Sequence, residues 1–309
     1  MIEARELTKR YGEKTVVNEL SFSIKPGEVT GFLGPNGAGK STTMRMIIGL
    51  DAPTQGSVTV NGRAYREHAA PLHEIGSLLE AKSVHPGRTA FNHLMGLAYT
   101  HGIPRRRVEE VIELAGLSSV AGKRVGAFSL GMGQRLGIAA ALLGDPAIVM
   151  LDEPVNGLDP EGVLWVRNLL ADLAAEGRAV MLSSHLMSET ALIADHLVII
   201  GKGRLLADTS VDEFVRSAGG GGVKVASGEA GRLRGLLAGP QVTVSSSSDE
   251  ELLVSGRDAR EIGAIAAQHG VPLYELTSQS VSLEEAFMQL THDSVEYHAG
   301  QSDDEREAA

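Results

Sequence analysis

The run Gly34-Pro35-Asn36-Gly37-Ala38-Gly39-Lys40-Ser41-Thr42 satisfies the pattern G-x-x-x-x-G-K-[ST], and its chemistry is that of a phosphate cradle. Glycines let the backbone wrap so that successive N–H groups face phosphate oxygens, and a helix starting there adds its positive end. Lys40 is then placed to reach the β and γ phosphates of a nucleoside triphosphate. Ser41 offers a hydroxyl to Mg²⁺, and Thr42 stands within reach of the α phosphate. A second cluster lies far along the chain, where the apolar run Ala147 to Leu151 (AIVML) delivers Asp152 and Glu153. Asp152 suits Mg²⁺, directly or through water, and Glu153 suits a base that polarises an attacking water. Alone, Asp-Glu-Pro reads as well as a solvated turn. Beside a phosphate loop it reads as chemistry.

These groups need a scaffold that brings distant strand ends together. Val29 to Leu33 (VTGFL) is a short apolar run leading into the loop, and a helical run follows it. Ala147 to Leu151, Ala179 to Ser183 and His196 to Ile200 repeat the pattern, separated by helix-like segments such as Val163 to Ala175. Such runs predict a largely parallel sheet buried on both faces, an α/β fold whose ligands sit beyond the strands' carboxyl ends. From Gly87 to Leu143 strand signals vanish and Ala, Leu, Glu and Arg dominate, which predicts a helical insertion over 87–143.

The glycine-rich stretch Ser217 to Gly222 (SAGGGG) is a poor former of regular structure. The expected organisation is therefore a nucleotide-binding domain over 1–215, a linker over 216–222 and a small α+β domain over 223–292. An acidic, disordered tail is expected over 293–309. Within the small domain the expected order is a strand at Val223 to Ala226, a helix at Glu229 to Leu237, strands near Val242 and Leu252, a helix at Asp258 to His269 and a strand at Val271 to Leu276. That βαββαβ order resembles the ferredoxin-like plait, with a closing helix from Leu283 to Leu290.

Composition narrows the function classes. The 309 residues are 43% hydrophobic and 22% charged with a net charge of −11, which argues against a general nucleic-acid binder. No apolar stretch approaches the roughly 18 residues needed to span a bilayer. The N-terminus lacks the layout of a secretory signal, so a cytoplasmic location is expected. The absence of cysteine excludes disulfide scaffolding, thiolate metal sites and cysteine catalysis.

Between the two chemical clusters stands Phe128 to Arg135, FSLGMGQR, with Ser129 lying 23 residues before Asp152. Together with GPNGAGKST and LDEP it resembles the signature segment of ABC ATPases. The resemblance implies a P-loop NTPase fold, ATP and Mg²⁺ as ligands, ATP hydrolysis and a homodimer in which Ser129 and Gly131 reach the γ phosphate held by the other subunit. Leu130 stands where the family's first glycine usually is, and Phe128 replaces leucine. Asn156 to Asp159 (NGLD) resembles the D-loop, which implies Asp159 at the dimer interface. His185 in LSSH resembles the switch histidine at the γ phosphate, and Tyr11 in KRYG resembles the aromatic that stacks on adenine.

One departure carries information. Where the family generally has a glutamine about 40 residues beyond the lysine, contacting Mg²⁺ and water, this chain has Glu80 in IGSLLEA. A carboxylate can still bind Mg²⁺ but alters the local charge. Glu80, the style of the signature and SLEEAFMQLT at Ser282 to Thr291 resemble bacitracin, lantibiotic and daunorubicin resistance ATPases. Those work with a separately encoded membrane permease, on the cytoplasmic face, and the transported molecule contacts the permease. The alternatives are an ABC importer ATPase with a regulatory C-terminal domain and a soluble ABC ATPase acting on ribosomes or DNA. A P-loop kinase would leave FSLGMG, NGLD and LSSH unexplained.

Overall fold

The computed structural model describes residues 1–80, 84–184, 187–217, 222–239, 242–246, 248–278 and 282–291. His185 and the tail over 293–309 lie outside the described residues. Two compact units are present, Met1–Val211 and Asp212–Leu290.

The first unit opens with β1 (Ile2–Tyr11) and β2 (Lys14–Ile24), followed by β3 (Val29–Leu33), α1 (Lys40–Ile47), β4 (Gln55–Val60), α2 (Pro71–Glu74) and β5 (Ile75–Leu78). Three helices follow, α3 (Ala90–Thr100), α4 (Arg105–Leu114) and α5 (Leu130–Leu142). Then come β6 (Ile148–Asp152), α6 (Pro160–Ala175), β7 (Ala179–Ser183), α7 (Met187–Ala191), β8 (His196–Gly201) and β9 (Arg204–Ser210). A six-stranded sheet has the order β5-β6-β7-β3-β8-β9, parallel except for the β8/β9 pair, and β2-β1-β4 form a separate antiparallel sheet. The parallel α/β core expected from the apolar runs is present, with helices α3 to α5 in the insertion.

Strand β3 is buried at every position because its alternate residues face two different cores. Phe32, Met150 and Met181 join α1 and the antiparallel sheet, while Val29, Leu151 and Leu182 join helices α3 to α6. Each such fully buried side chain contributes about 1.5–3 kcal/mol. Glycine sets how closely helix and sheet approach on the second face. A Cβ at Gly76 of β5 would collide with the carbonyl of Ala141, and one at Gly137 of α5 would meet Leu78 at 2.6 Å. Helix α5 therefore lies directly against the strand that leads to Glu80.

Helix α8 (Val211–Ser217) corrects the expected linker start at 216. Asp212 and Glu213 in its first turn and Arg216 in its last complement the helix dipole, so regular structure persists to Ser217. Beyond Gly222 come β10 (Val223–Ala226), α9 (Ala230–Leu237), β11 (Thr243–Ser246), β12 (Glu251–Ser255), α10 (Ala259–Gln268), β13 (Glu275–Ser278) and α11 (Leu283–Thr291). The sheet order is β11-β12-β10-β13 with every neighbouring pair antiparallel. The last strand lies later than the expected Val271 to Leu276. Val271 N–H instead closes the end of α10 on the Ala266 carbonyl, and Pro272 brings no N–H to a ladder.

Candidate functional site

Strands β6, β7 and β3 are neighbours, so their carboxyl ends bring the phosphate loop, Asp152-Glu153 and Ser183 to one edge. Gly37 and Gly39 take φ of 80° and 103°, which side chains resist. A Cβ at Gly39 would meet the Val16 carbonyl at 2.8 Å, and one at Gly34 would collide with the Ile200 carbonyl. The loop is also tied to the β8–β9 turn, where Gly203 N–H donates to the Ala38 carbonyl at 3.0 Å. Helix α1 then begins without a side-chain cap or an acidic residue in its first turn, which leaves its N-terminal donors and positive end for an anion. Beside the loop is a cavity of about 250 Å³ lined by Lys14, Thr15, Val16, Asn36, Gly37, Ala38 and Lys202.

Lys40 Nζ donates to the carbonyls of Gly34 at 2.6 Å and Pro35 at 3.3 Å. Burial holds its pKa below the ordinary lysine range, against the opposing pull of the Glu153 and Asp152 carboxylates. Ser41 Oγ donates to Asp152 Oδ2 at 3.1 Å. This hydroxyl and carboxylate are oxygen donors of the kind Mg²⁺ takes together with phosphate oxygens and water, so the residues present fit that ion. Thr42 follows them in the first turn of α1, half-buried.

Two groups that the sequence reading passed over complete this edge. Ser183 Oγ donates to Asp152 Oδ1 and accepts the N–H of Glu153 at 3.2 Å. Gln134, buried in α5, donates its Nε2 to the Glu153 carbonyl at 2.9 Å. Glu153 itself has φ of 52°, a left-handed backbone that costs a side-chain-bearing residue about 1–3 kcal/mol. Such strain persists where neighbours over-determine it. The serine ending AVMLS was a signal available in the sequence, whereas Gln134 required knowing which way α5 faces.

Ser129 caps α5, accepting Met132 N–H at 3.2 Å, and is exposed. Gly131 approaches the Gly157 carbonyl so closely that a Cβ would stand at 3.3 Å. The signature and NGLD segments of this chain thus pack on each other. Asp159 is exposed and caps α6 through Gly162 N–H at 2.8 Å. Glu80 is exposed two residues beyond β5, whose Leu78 pairs in register with Leu151, just before Asp152. Tyr11, at the end of β1, is 49% exposed, with Lys9 over its ring and its hydroxyl donating to Asp51 at 3.2 Å. Asp51 also pairs with Arg45 of α1 at 2.7 Å, which links the aromatic to the helix behind the phosphate loop.

A family model described as "ABC transporter" matches residues 17–156, and one described as a domain of unknown function matches residues 221–284. The chain is 42% identical over 217 residues to the bacitracin transport ATP-binding protein BcrA of Bacillus licheniformis, covering 69% of this chain and 71% of that one. It is 34% identical over 303 residues to the Nod factor export ATP-binding protein I of Ralstonia nicotianae, covering 94% of both. A solved ATP-binding cassette, dimeric and bound to ADP and Pi in a post-hydrolysis state, matches with a TM-score of 0.62 at 25% identity over 68% of this chain and 99% of that one. Among the described residues no helix is long and apolar enough to cross a membrane. With the phosphate loop, the Ser41–Asp152 pair and a 34% identical relative that spans nearly its whole length, the chain belongs to the family of ABC transporter ATP-binding proteins.

Proposed function

We propose that the chain binds and hydrolyses MgATP as one half of a head-to-tail homodimer and powers export of a drug, antibiotic or lipid-like molecule through a separately encoded membrane permease. The observation that carries the catalytic part is the Ser41–Asp152 hydrogen bond beside Lys40, with Glu153 next along the strand end. Lys40 exchanges the Gly34 and Pro35 carbonyls for the β and γ phosphates, and the first N–H groups of α1 bind the same anion. Ser41 and Asp152 would hold Mg²⁺, with Glu80 a further candidate oxygen ligand. That ion supplies neutralisation of phosphate charge. Ser183 keeps the Asp152 carboxylate turned toward Ser41.

Glu153 orients a water and accepts its proton as the water oxygen bonds to the γ phosphorus and the bond to the β–γ bridging oxygen breaks, releasing ADP and phosphate. His185 hydrogen-bonds the γ phosphate and helps orient the water. Ser129 and Gly131 serve the nucleotide of the partner chain, Asp159 lies at the shared interface and Tyr11 stacks on adenine. Closure over two nucleotides moves the permease, and phosphate release reopens the pair.

Export is supported by the relatives named for bacitracin transport and Nod factor export, and the import alternative draws no support from them. On this reading the chain is peripheral on the cytoplasmic face of the membrane, touches no nucleic acid and leaves the transported molecule to the permease. The test is co-expression with the product of the adjacent permease-like gene, followed by ATPase assays in proteoliposomes with a panel of antibiotics. Stable association and a rate raised by at least one compound are expected. Failure to associate with any permease would overturn the export reading.

A further inference from the structure

Gln134 sits on the second turn of α5, five residues after Ser129, and is only 4% exposed. An apolar residue would serve packing there equally well, yet the position holds a carboxamide aimed at one backbone oxygen, the Glu153 carbonyl at 2.9 Å. The N–H on the other side of Glu153 is held by Ser183 of β7, through both its carbonyl and its hydroxyl at 3.2 Å. The left-handed Glu153 is therefore pinned at both peptide groups, one from the sheet and one from α5. Helix α5 also lies close against the sheet, at a separation that Gly76 and Gly137 permit between α5 and β5.

We infer that Gln134 is a positioning residue, through which the helix that begins at Ser129 sets the backbone of Glu153 and hence the direction of its carboxylate. The inference rests on Glu153 being the base. It adds a route between sites. In the proposed homodimer Ser129 engages the partner's nucleotide, so any shift of α5 on that engagement is delivered to the Glu153 carbonyl of the chain's own site.

The test uses the full chain with MgATP. Gln134→Met keeps an unbranched side chain of similar length and removes the donor. Its kcat is expected to fall about tenfold, which corresponds to 1.4 kcal/mol, while the MgATP Kd changes less than about twofold. Gln134→Glu supplies a second reading, because an ionised carboxylate cannot donate to a carbonyl whereas a protonated one can. Burial raises the pKa of a carboxyl at this position above the ordinary range, so the relative rate of this variant should rise as pH is lowered through that titration, a trend that packing alone does not produce. The inference is overturned if Gln134→Met hydrolyses at the unsubstituted rate, or loses turnover, nucleotide affinity and thermal stability in proportion. It is equally overturned by a relative rate for Gln134→Glu that stays flat while that carboxyl is shown to titrate. Failure of the base assignment is separately visible, since Glu153→Gln would then hydrolyse normally whatever Gln134 does.

Discussion

Ser41 Oγ and Asp152 Oδ2, 111 residues apart in the chain, meet at 3.1 Å where the phosphate loop passes the end of β6. The relationship joins the oxygen groups proposed to hold Mg²⁺ into a single unit, because Ser183 holds the other oxygen of the same carboxylate. Removing the hydroxyl by Ser41→Ala should weaken MgATP binding by about 1 kcal/mol, roughly fivefold, and leave metal-free ATP binding nearly unchanged. Titration of a fluorescent ATP analogue with Mg²⁺ and with EDTA checks this, and an equal loss in both conditions would contradict it.

A signed pH dependence follows from Lys40. Burial lowers its pKa, so its cationic form is lost at a lower pH than an ordinary lysine as the solution is made alkaline. Glu153 opposes that shift, and Glu153→Gln removes the opposition. MgATP affinity should therefore decline with rising pH sooner in Glu153→Gln than in the unsubstituted chain. Kd measured from about pH 8 to about pH 10 reads the shift, and a displacement toward higher pH would contradict the assignment.

Packing of the signature helix gives a stability prediction. Gly76→Ala drives a Cβ into the Ala141 carbonyl of α5, a backbone atom with little freedom to yield. The expected cost is about 3 kcal/mol, which lowers Tm by about 6–12 °C in a unit of this size. Gly96→Ala in helix α3, where nothing lies within 4 Å, is an open-space control and should leave Tm unchanged or slightly raised. Thermal melts of the two proteins separate a steric clash from the mere addition of a methyl group.

The only tryptophan reports on the joint between helices α4, α5 and α6. The Arg135 guanidinium stacks over the Trp165 ring at 4.5 Å, and the two side chains donate to the Ala115 and Leu114 carbonyls at 3.2 Å, which caps the end of α4. Arg135→Ala should destabilise the protein by about 1–3 kcal/mol and shift the intrinsic fluorescence. An unchanged emission spectrum would mean that Trp165 does not sense Arg135.

The strands that end at the site were legible because fully buried parallel strands read as unbroken apolar runs, as Ala147 to Leu151 does, and because the loop from Gly34 to Thr42 has a strand before it and a helix after it. The antiparallel β9 was not singled out, since Arg204 to Ser210 mixes charged, polar and apolar residues at a sheet edge. The last strand was set too early, where Val271 and Leu273 flank Pro272 and look apolar but close a helix instead. The end of α8 was missed because the glycine run drew the linker back over residues that cap a helix by charge. Gln134 and Ser183 escaped notice for a different reason. Their role lies in hydrogen bonds to the backbone of Glu153, and side-chain types alone do not reveal which carbonyl or N–H lies opposite.

On the proposed mechanism Glu153 is the base in a site that closes on MgATP. Measuring Glu153→Gln for nucleotide affinity, oligomeric mass and steady-state hydrolysis in one preparation tests it most directly. Retained MgATP binding, a trapped dimer and turnover reduced by about a hundredfold or more are the expected results. Turnover at the unsubstituted rate would contradict it.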